Sequence, residues 1–275
     1  MDARLRARAR SALDEITDAA RRAGQIALRD FRLGETTSAD VRAKRGGSPV
    51  TAADLAVDRY LSERLRAAYP EAGWLSEETA DDWARLDTAS LLVVDPIDGT
   101  RAFLAGDPRW TVSIAFVLDA RPIAGVVHAP VLGETYAAAL GGGARLEGAP
   151  IRASARAALD GALVGGPKPM IAALAKAAGI EFVAAPRIPS LALRLARVAD
   201  GALDIGLASA NSHDWDIAAA DIVLSEAGAL LTDADGQILR YNREKTRRGP
   251  LLAFGASLAP PLVAAARSAL AGRAE

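Results

Sequence analysis

The sequence predicts a mixed fold in which an α+β half precedes an α/β half, the two joining near residue 150. Three observations predict it: helical periodicity opens the chain, apolar runs resembling a strand meander lie between Trp110 and Leu146, and helix and strand patterns alternate beyond residue 150. No low-complexity linker or internal repeat separates the parts, so 1–150 and 151–275 are expected to share one packed body. The 275 residues, 51% hydrophobic and 24% charged, can build a core without disulfides.

The elements follow in order. Leu13, Ile16, Ala20, Ala23 and Ala27 recur by three and four, which predicts a long amphipathic helix ending before Gly34. Residues 45–50, RGGSPV, read as a loop. Thr51 is placed to cap a second helix, AADLAVDRYLSERLRAAY, with Leu55, Val57, Leu61 and Leu65 on its apolar face and Pro70 and Gly73 at its end. GWLSEE and LLVVDP are short extended runs that end in acids. TVSIAFVL, PIAGVVHA and ETYAAAL are separated by turn residues, as in an antiparallel meander. In the second half ALVGG, EFVAA, ALDIGLA, ALLTD and LLAFGA read as strands. The helices between and after them close at Gly179, Gly201, Gly228 and Gly272.

Composition excludes several chemistries. With no cysteine there is no thiolate metal site, Cys nucleophile or disulfide, and two histidines, His128 and His213, cannot make a three-His centre. Carboxylates, hydroxyls and backbone remain, and these suit hard, oxygen-binding cations. A net charge of −1 gives no basic field for nucleic acid or anionic lipid. The arginines of MDARLRARAR could belong to a transit peptide or an RNA-binding arm, but Asp14, Glu15 and Asp18 follow closely, which favours a solvated helix start. No apolar stretch is long enough to span a membrane, and a cytoplasmic protein is expected.

Between Glu71 and Asp107 nine acids face two arginines. Asp81, Asp82 and Asp87 read as a solvated face. Asp95 and Asp98 instead follow LLVV, a run suited to a buried strand, and ligand sites of α/β sheets form at such strand ends. Pro96 and Gly99 allow DPIDGT to aim two carboxylates and intervening carbonyls into one volume. Buried like charges call for a cation, and Mg²⁺ accepts such oxygens. The helix start at Thr100, with Gly99, would seat a phosphate. An Asx turn with a helix cap explains the pentapeptide DPIDG equally well, whereas the D-x-D motif of aspartyl-phosphate enzymes does not match its spacing. Asp216, near the start of a helix, reads either as a ligand or as a helix cap.

Four separated motifs, SPVTAAD (48–54), LSEE (75–78), VVDPIDGT (93–100) and DWDIAAADIVLSEAGA (214–229), resemble those of the inositol monophosphatase superfamily in content and order. The resemblance implies a layered αβαβα sandwich and a phosphomonoesterase that uses two or three Mg²⁺ ions and is inhibited by lithium. Carried over, Glu77, Asp95 and the Ile97 carbonyl resemble the ligands of the first metal, and Asp95, Asp98 and Asp216 those of the second. Asp54 and Thr100 resemble the pair that activates the attacking water, with the Gly99 and Thr100 amides on the phosphate and a water near Asp216 returning the proton; His213, two residues from Trp215 and three from Asp216, is expected to line the substrate pocket. Glu78 ranks below Glu77, because neighbours on a strand face opposite ways.

The run from Trp110 to Tyr136 looks more like bacterial 3'(2'),5'-bisphosphate nucleotidases than inositol phosphatases. Inositol enzymes also carry a small Gly-Thr-Ala stretch where this chain has Pro189, Ser190 and Leu191, and an acid where it has Ser209. Adenosine 3',5'-bisphosphate is therefore the expected substrate, with inositol 1-phosphate as the alternative and a catalytically silent phosphometabolite-binding protein as the alternative of another class. The expected partner is a small anionic phosphate ester, not a nucleic acid polymer or a membrane, and the assembly a monomer or homodimer. Lys44, Arg45, Lys168, Arg187 and Arg194 are the candidates for a second phosphate, and Trp110 or Trp215 for stacking on an adenine; His128 reads as a core or edge residue.

Overall fold

The computed structural model describes residues 2–37, 41–43 and 49–270, with the backbone alone for residues 41–43 and 49. Lys44, Arg45, the 45–48 part of the expected loop and Gly272 lie outside the described residues.

Helix α1 (Ala3–Ala27) and the hairpin of β1 (Val41–Ala43) with β2 (Pro49–Thr51) lead into α2 (Ala52–Ala68). Strands β3 (Gly73–Ser76) and β4 (Ser90–Asp98) follow, then the short helix α3 (Thr100–Leu104). The meander is β5 (Thr111–Leu118), β6 (Arg121–Ala129) and β7 (Glu134–Ala139), extended by β8 (Ala144–Leu146) and β9 (Ala149–Pro150). Then come β10 (Leu163–Gly165), α4 (Lys168–Ala178), β11 (Val183–Ala184), α5 (Leu191–Ala199) and β12 (Ile205–Ala208). Helix α6 (Asp214–Glu226), β13 (Ala229–Asp233), β14 (Leu251–Gly255) and α7 (Ala259–Leu270) complete the described chain.

Among the described residues, β3 to β9 form one sheet in sequence order, parallel only between β3 and β4. A second sheet has the order β11-β10-β12-β14-β13, in which β11, β10 and β12 run parallel and β14 opposes both its neighbours. The pleat of β4 explains the layering. Leu92 and Val94 pack with α1 and α2, while Leu91 and Val93 pack with α5 and α6. The far face of α5 and α6 meets the second sheet, whose Val164, Ile205, Leu252 and Phe254 turn outward to α4 and α7. This is the αβαβα sandwich. Gly125 lets α6 lie close on β6: a methyl there would meet Ile222 at 2.5 Å and the Ala219 carbonyl at 2.7 Å.

Several local expectations change. Helix α1 stops at Ala27 rather than near Gly34, whose N–H instead donates to the Gly106 carbonyl at 2.9 Å. Leu55 is 40% exposed; the apolar stripe of α2 is Ala53, Val57, Leu61 and Leu65, because the sheet takes the face one position round. EFVAA shrinks to the two exposed residues of β11, an edge strand. Asp81, Asp82 and Asp87 are exposed as expected, and Asp81 also grips the buried Arg85 at 2.6 and 2.7 Å. The arginines at positions 4, 6, 8 and 10 lie exposed on the first turns of α1. No helix among the described residues is long and apolar enough to cross a membrane.

Candidate active site

The strand β4 runs on through both acids of DPIDGT instead of ending before them. Asp95 lies opposite Ser113 and Asp98 opposite Thr111, so β4 carries one more residue than β5 between these pairs. In a regular strand residues three apart face opposite ways; the bulge brings them to one side. Pro96 sits within this irregular stretch, where its missing N–H breaks no ladder bond. Gly99 follows at φ 96°, a left-handed conformation that suits glycine, and starts α3 from the strand end.

Asp95, Asp98 and Asp216 converge: one carboxylate oxygen from each lies within 4.8 Å of the others. Burial holds the Asp95 carboxyl well above the usual carboxylate range, and Glu77, Asp98, Asp216 and Asp54 push it further. Burial and then Asp98 raise Asp216 in the same direction. Asp98 is raised by burial against the bonds it accepts from Ser190 Oγ, at 2.5 Å, and the Ala192 amide, at 2.7 Å. Like charges so placed are stable only when a proton or a cation joins them. The oxygen-only donors fit a hard divalent cation. Glu77 stands beside this group rather than within it, half-buried at the end of β3, and its charge reaches both Asp95 and Asp216. The Ile97 carbonyl lies in the bulge and accepts from the Thr100 hydroxyl at 3.2 Å.

Asp54 and Asp216 are presented in the same way. Each is the third residue of its helix, and each gives one oxygen to the backbone N–H three residues earlier: Thr51 to Asp54 Oδ2 at 2.7 Å, His213 to Asp216 Oδ2 at 2.7 Å. The Thr51 hydroxyl adds a second bond to Asp54 Oδ2 at 2.5 Å. The other oxygen, Asp54 Oδ1, lies 3.5 Å from Thr100 Oγ1. The amides of Gly99 and Thr100 precede the first helical bonds of α3, which run from Ala102 and Phe103 to the Gly99 carbonyl.

His213 flanks α6, its ring stacked on Trp215 at 4.4 Å and 3° and its Nδ1 3.2 Å from Thr246 Oγ1. Trp215 is half-buried, whereas Trp110 is fully buried against Phe31 and Phe103 and cannot stack on a ligand. Arg194 is likewise excluded as a free phosphate ligand: it is largely buried and donates to the carbonyls of Ile188 and Leu207. Arg187 and Lys168 are exposed. His128 is buried, bonded to Thr135 at 3.0 Å, with its pKa lowered by burial to about 4.

Two supporting residues escape a reading of the sequence. Ser190 ties Asp98 to the start of α5 and also contacts Thr111 Oγ1 at 3.1 Å. Asp58 accepts from Ser76 Oγ at 2.5 Å and Thr79 Oγ1 at 2.7 Å, clamping both sides of Glu77. Asp58 carries a local signal, an acid four residues after Asp54 on the same helix face. Ser190 carries none.

Comparison with known proteins identifies the family. The model of the inositol monophosphatase family matches residues 10–271. The chain is 32% identical over 254 residues to the 3'(2'),5'-bisphosphate nucleotidase CysQ of Aggregatibacter actinomycetemcomitans, covering 88% of this chain and 92% of that one. It is 35% identical over 242 residues to the inositol-1-monophosphatase of Rhizobium meliloti, covering 83% and 88%. Among solved structures, the Thermotoga maritima IMPase superposes with a TM-score of 0.81 at 26% identity, covering 94% and 98%. The chain belongs to the inositol monophosphatase family and is a phosphoric monoester hydrolase.

Proposed function

We propose that the enzyme is a Mg²⁺-dependent phosphatase that hydrolyses adenosine 3',5'-bisphosphate to AMP and phosphate, with water as the nucleophile. The observation that carries the reaction is the convergence of Asp95, Asp98 and Asp216 beside the Asp54–Thr100 pair. Glu77, Asp95, the Ile97 carbonyl, Asp98 and Asp216 would hold two or three ions. When bound, Mg²⁺ supplies charge neutralisation and Lewis-acid polarisation of the phosphoryl group.

The remaining work falls to the chain. Thr100 Oγ orients the attacking water and passes its proton to Asp54 Oδ1, the oxygen that faces it at 3.5 Å while Thr51 bonds Oδ2. The Gly99 and Thr100 amides hold phosphoryl oxygens as the bond from phosphorus to the ribose 3'-oxygen breaks, and that oxygen takes up a proton from water near Asp216. His213, stacked on Trp215 next to Asp216, lines the leaving-group side. In this reading residues 1–150 supply most of the ligands and 151–275 supply Asp216 and the pocket wall. The enzyme works in the cytoplasm, as a monomer or homodimer, on small phosphate esters without a nucleic acid or membrane partner, and lithium inhibits it.

The nucleotide assignment is supported by the similarity to the Aggregatibacter nucleotidase and by the flat His213–Trp215 stack. The similarity to the Rhizobium inositol-1-monophosphatase supports inositol 1-phosphate as the second reading. Phosphate release from adenosine 3',5'-bisphosphate, inositol 1-phosphate, fructose 1,6-bisphosphate and histidinol phosphate decides between them. The nucleotide is expected to give the highest kcat/KM; faster turnover of inositol 1-phosphate would reverse the assignment.

A further inference from the structure

A basic cavity of about 570 Å³ has in its wall Thr246, whose hydroxyl contacts the His213 ring. Asn211, Lys245, Thr246 and Arg247 line it, with Glu244 and Arg248 also in the wall. Its position relative to the acids is fixed by bonds. The segment 246–248 runs antiparallel to the segment 211–214 that starts α6: Asn211 N–H donates to the Arg248 carbonyl at 2.9 Å, Arg248 N–H to the Ser212 carbonyl at 2.8 Å and Asp214 N–H to the Thr246 carbonyl at 3.0 Å. From Asp216 Oδ2 the path is one hydrogen bond to His213 N and a second from the His213 ring to Thr246 Oγ1. One wall residue of the cavity, Thr246, is thus two hydrogen-bonded contacts from Asp216.

Its charges are also uncommitted. Arg248 is buried and spent on Asp214, at 2.6 Å, but Lys245 and Arg247 are exposed and, among the described residues, neither makes an ion pair with a carboxylate. Arg247 bonds only the side-chain oxygen of Asn211, a neutral partner that a phosphate oxygen can replace. Asn211 holds its backbone at φ 89°, in the region that favours glycine, and its side-chain oxygen accepts from Arg247. Two cations without a carboxylate partner among the described residues, a hydroxyl and an amide around one cavity are the chemistry of an anion subsite.

We propose that Asn211, Lys245, Thr246 and Arg247 form a subsite for a second phosphate of the substrate, the 5'-phosphate when the 3'-phosphate lies over Asp95, Asp98 and Asp216. The inference rests on the phosphatase reading above and adds how the enzyme selects a bisphosphate. Of the basic residues singled out from the sequence, Arg187 is the rival: it is exposed and three residues before Ser190, which bonds Asp98.

The test compares wild type, Lys245→Ala/Arg247→Ala, Lys245→Glu/Arg247→Glu and Arg187→Ala, each assayed with Mg²⁺ on adenosine 3',5'-bisphosphate and on adenosine 3'-monophosphate, which lacks the second phosphate. The ratio of kcat/KM for bisphosphate over monophosphate is expected to fall about tenfold or more in the double alanine variant and further in the double glutamate variant, and to stay near wild type in Arg187→Ala. An unchanged ratio in the double variants, or its loss in Arg187→Ala alone, overturns the proposal. Equilibrium binding of 5'-AMP, which carries only the second phosphate, judges the subsite apart from turnover. Binding is expected to weaken about tenfold in the double alanine variant, and equal affinity overturns the subsite. Wild type that hydrolyses inositol 1-phosphate but neither nucleotide would fail the nucleotide reading itself, leaving the 5'-AMP comparison to decide the subsite.

Discussion

Ser190, in the turn before α5, donates its hydroxyl to Asp98 at the end of β4 over 2.5 Å, so a carboxylate of the site also pins the first sheet to the helical middle layer. Replacing Ser190 with Ala leaves that buried carboxylate with the backbone amides of Leu191 and Ala192. The expected cost is about 1–3 kcal/mol of stability together with a raised Mg²⁺ requirement. Urea denaturation and a Mg²⁺ titration of activity measure the two effects, and a variant with wild-type Mg²⁺ dependence would show that Ser190 does not position Asp98 for the ion.

Asp95→Asn should separate function from stability. Its carboxyl is raised by burial and by four neighbouring acids, so an amide relieves repulsion in the metal-free protein. Turnover is expected to fall by about a thousandfold or more, while the melting temperature of the metal-free protein rises by roughly 2–4 °C. Phosphate release and calorimetry in the presence of a chelator provide both readings. A less stable variant would contradict the electrostatic account.

Asp54→Asn keeps one acceptor for the Thr51 N–H but gives a poor base. Activity should drop by about 10²–10⁴-fold, with stability lowered by about 1 kcal/mol through the weakened cap. The pH–rate profile should lose its acidic limb; a profile that merely scales down would point to another base.

Added Mg²⁺ should stabilise the fold. At a hundred times its dissociation constant it contributes about 2.7 kcal/mol, and a chelator removes this. The melting temperature should rise in step with the metal dependence of activity, and Asp95→Asn should lose both responses.

Away from the site, Asp221 on α6 accepts from Tyr241 OH at 2.8 Å, and burial raises its pKa to about 6 from an ordinary 3.8. The folded state therefore binds the proton more tightly than the unfolded one, and this contribution to stability is full below about pH 4 and lost as pH rises through 6. Asp214, also raised to about 6 by burial, adds a term of the same sign. Asp221→Asn should flatten the fall in stability between pH 4 and 6 relative to wild type, as read by urea denaturation across that range. An unaltered slope would remove Asp221 as a source.

The layered fold was legible because apolar period and turn residues act locally, and the four motifs marked Asp54, Asp95, Asp98 and Asp216 before any contact was known. What escaped depends on partners distant in the chain. The bulge that brings Asp95 and Asp98 to one side is set by their register against Thr111 and Ser113, and Ser190 meets Asp98 across 92 positions. Leu55 failed for a related reason: helical period fixes that a stripe exists, but the sheet chooses which one is covered. Trp110 shows the limit of residue type, since a large aromatic suits a core as well as a ligand.

Asp54 and Asp216 each share their oxygens between a helix start and the site, and they stand at opposite ends of the chain's order. A polypeptide emerging from the ribosome amino end first completes the β4 acids early, and on the proposed mechanism it is expected to stay inert until α6 has been made and docked. Until α6 is added, the acids of β4 lack the third carboxylate of the cluster. Truncated products that stop before residue 216 are expected to be both unstable and harmless to the cell's phosphate esters.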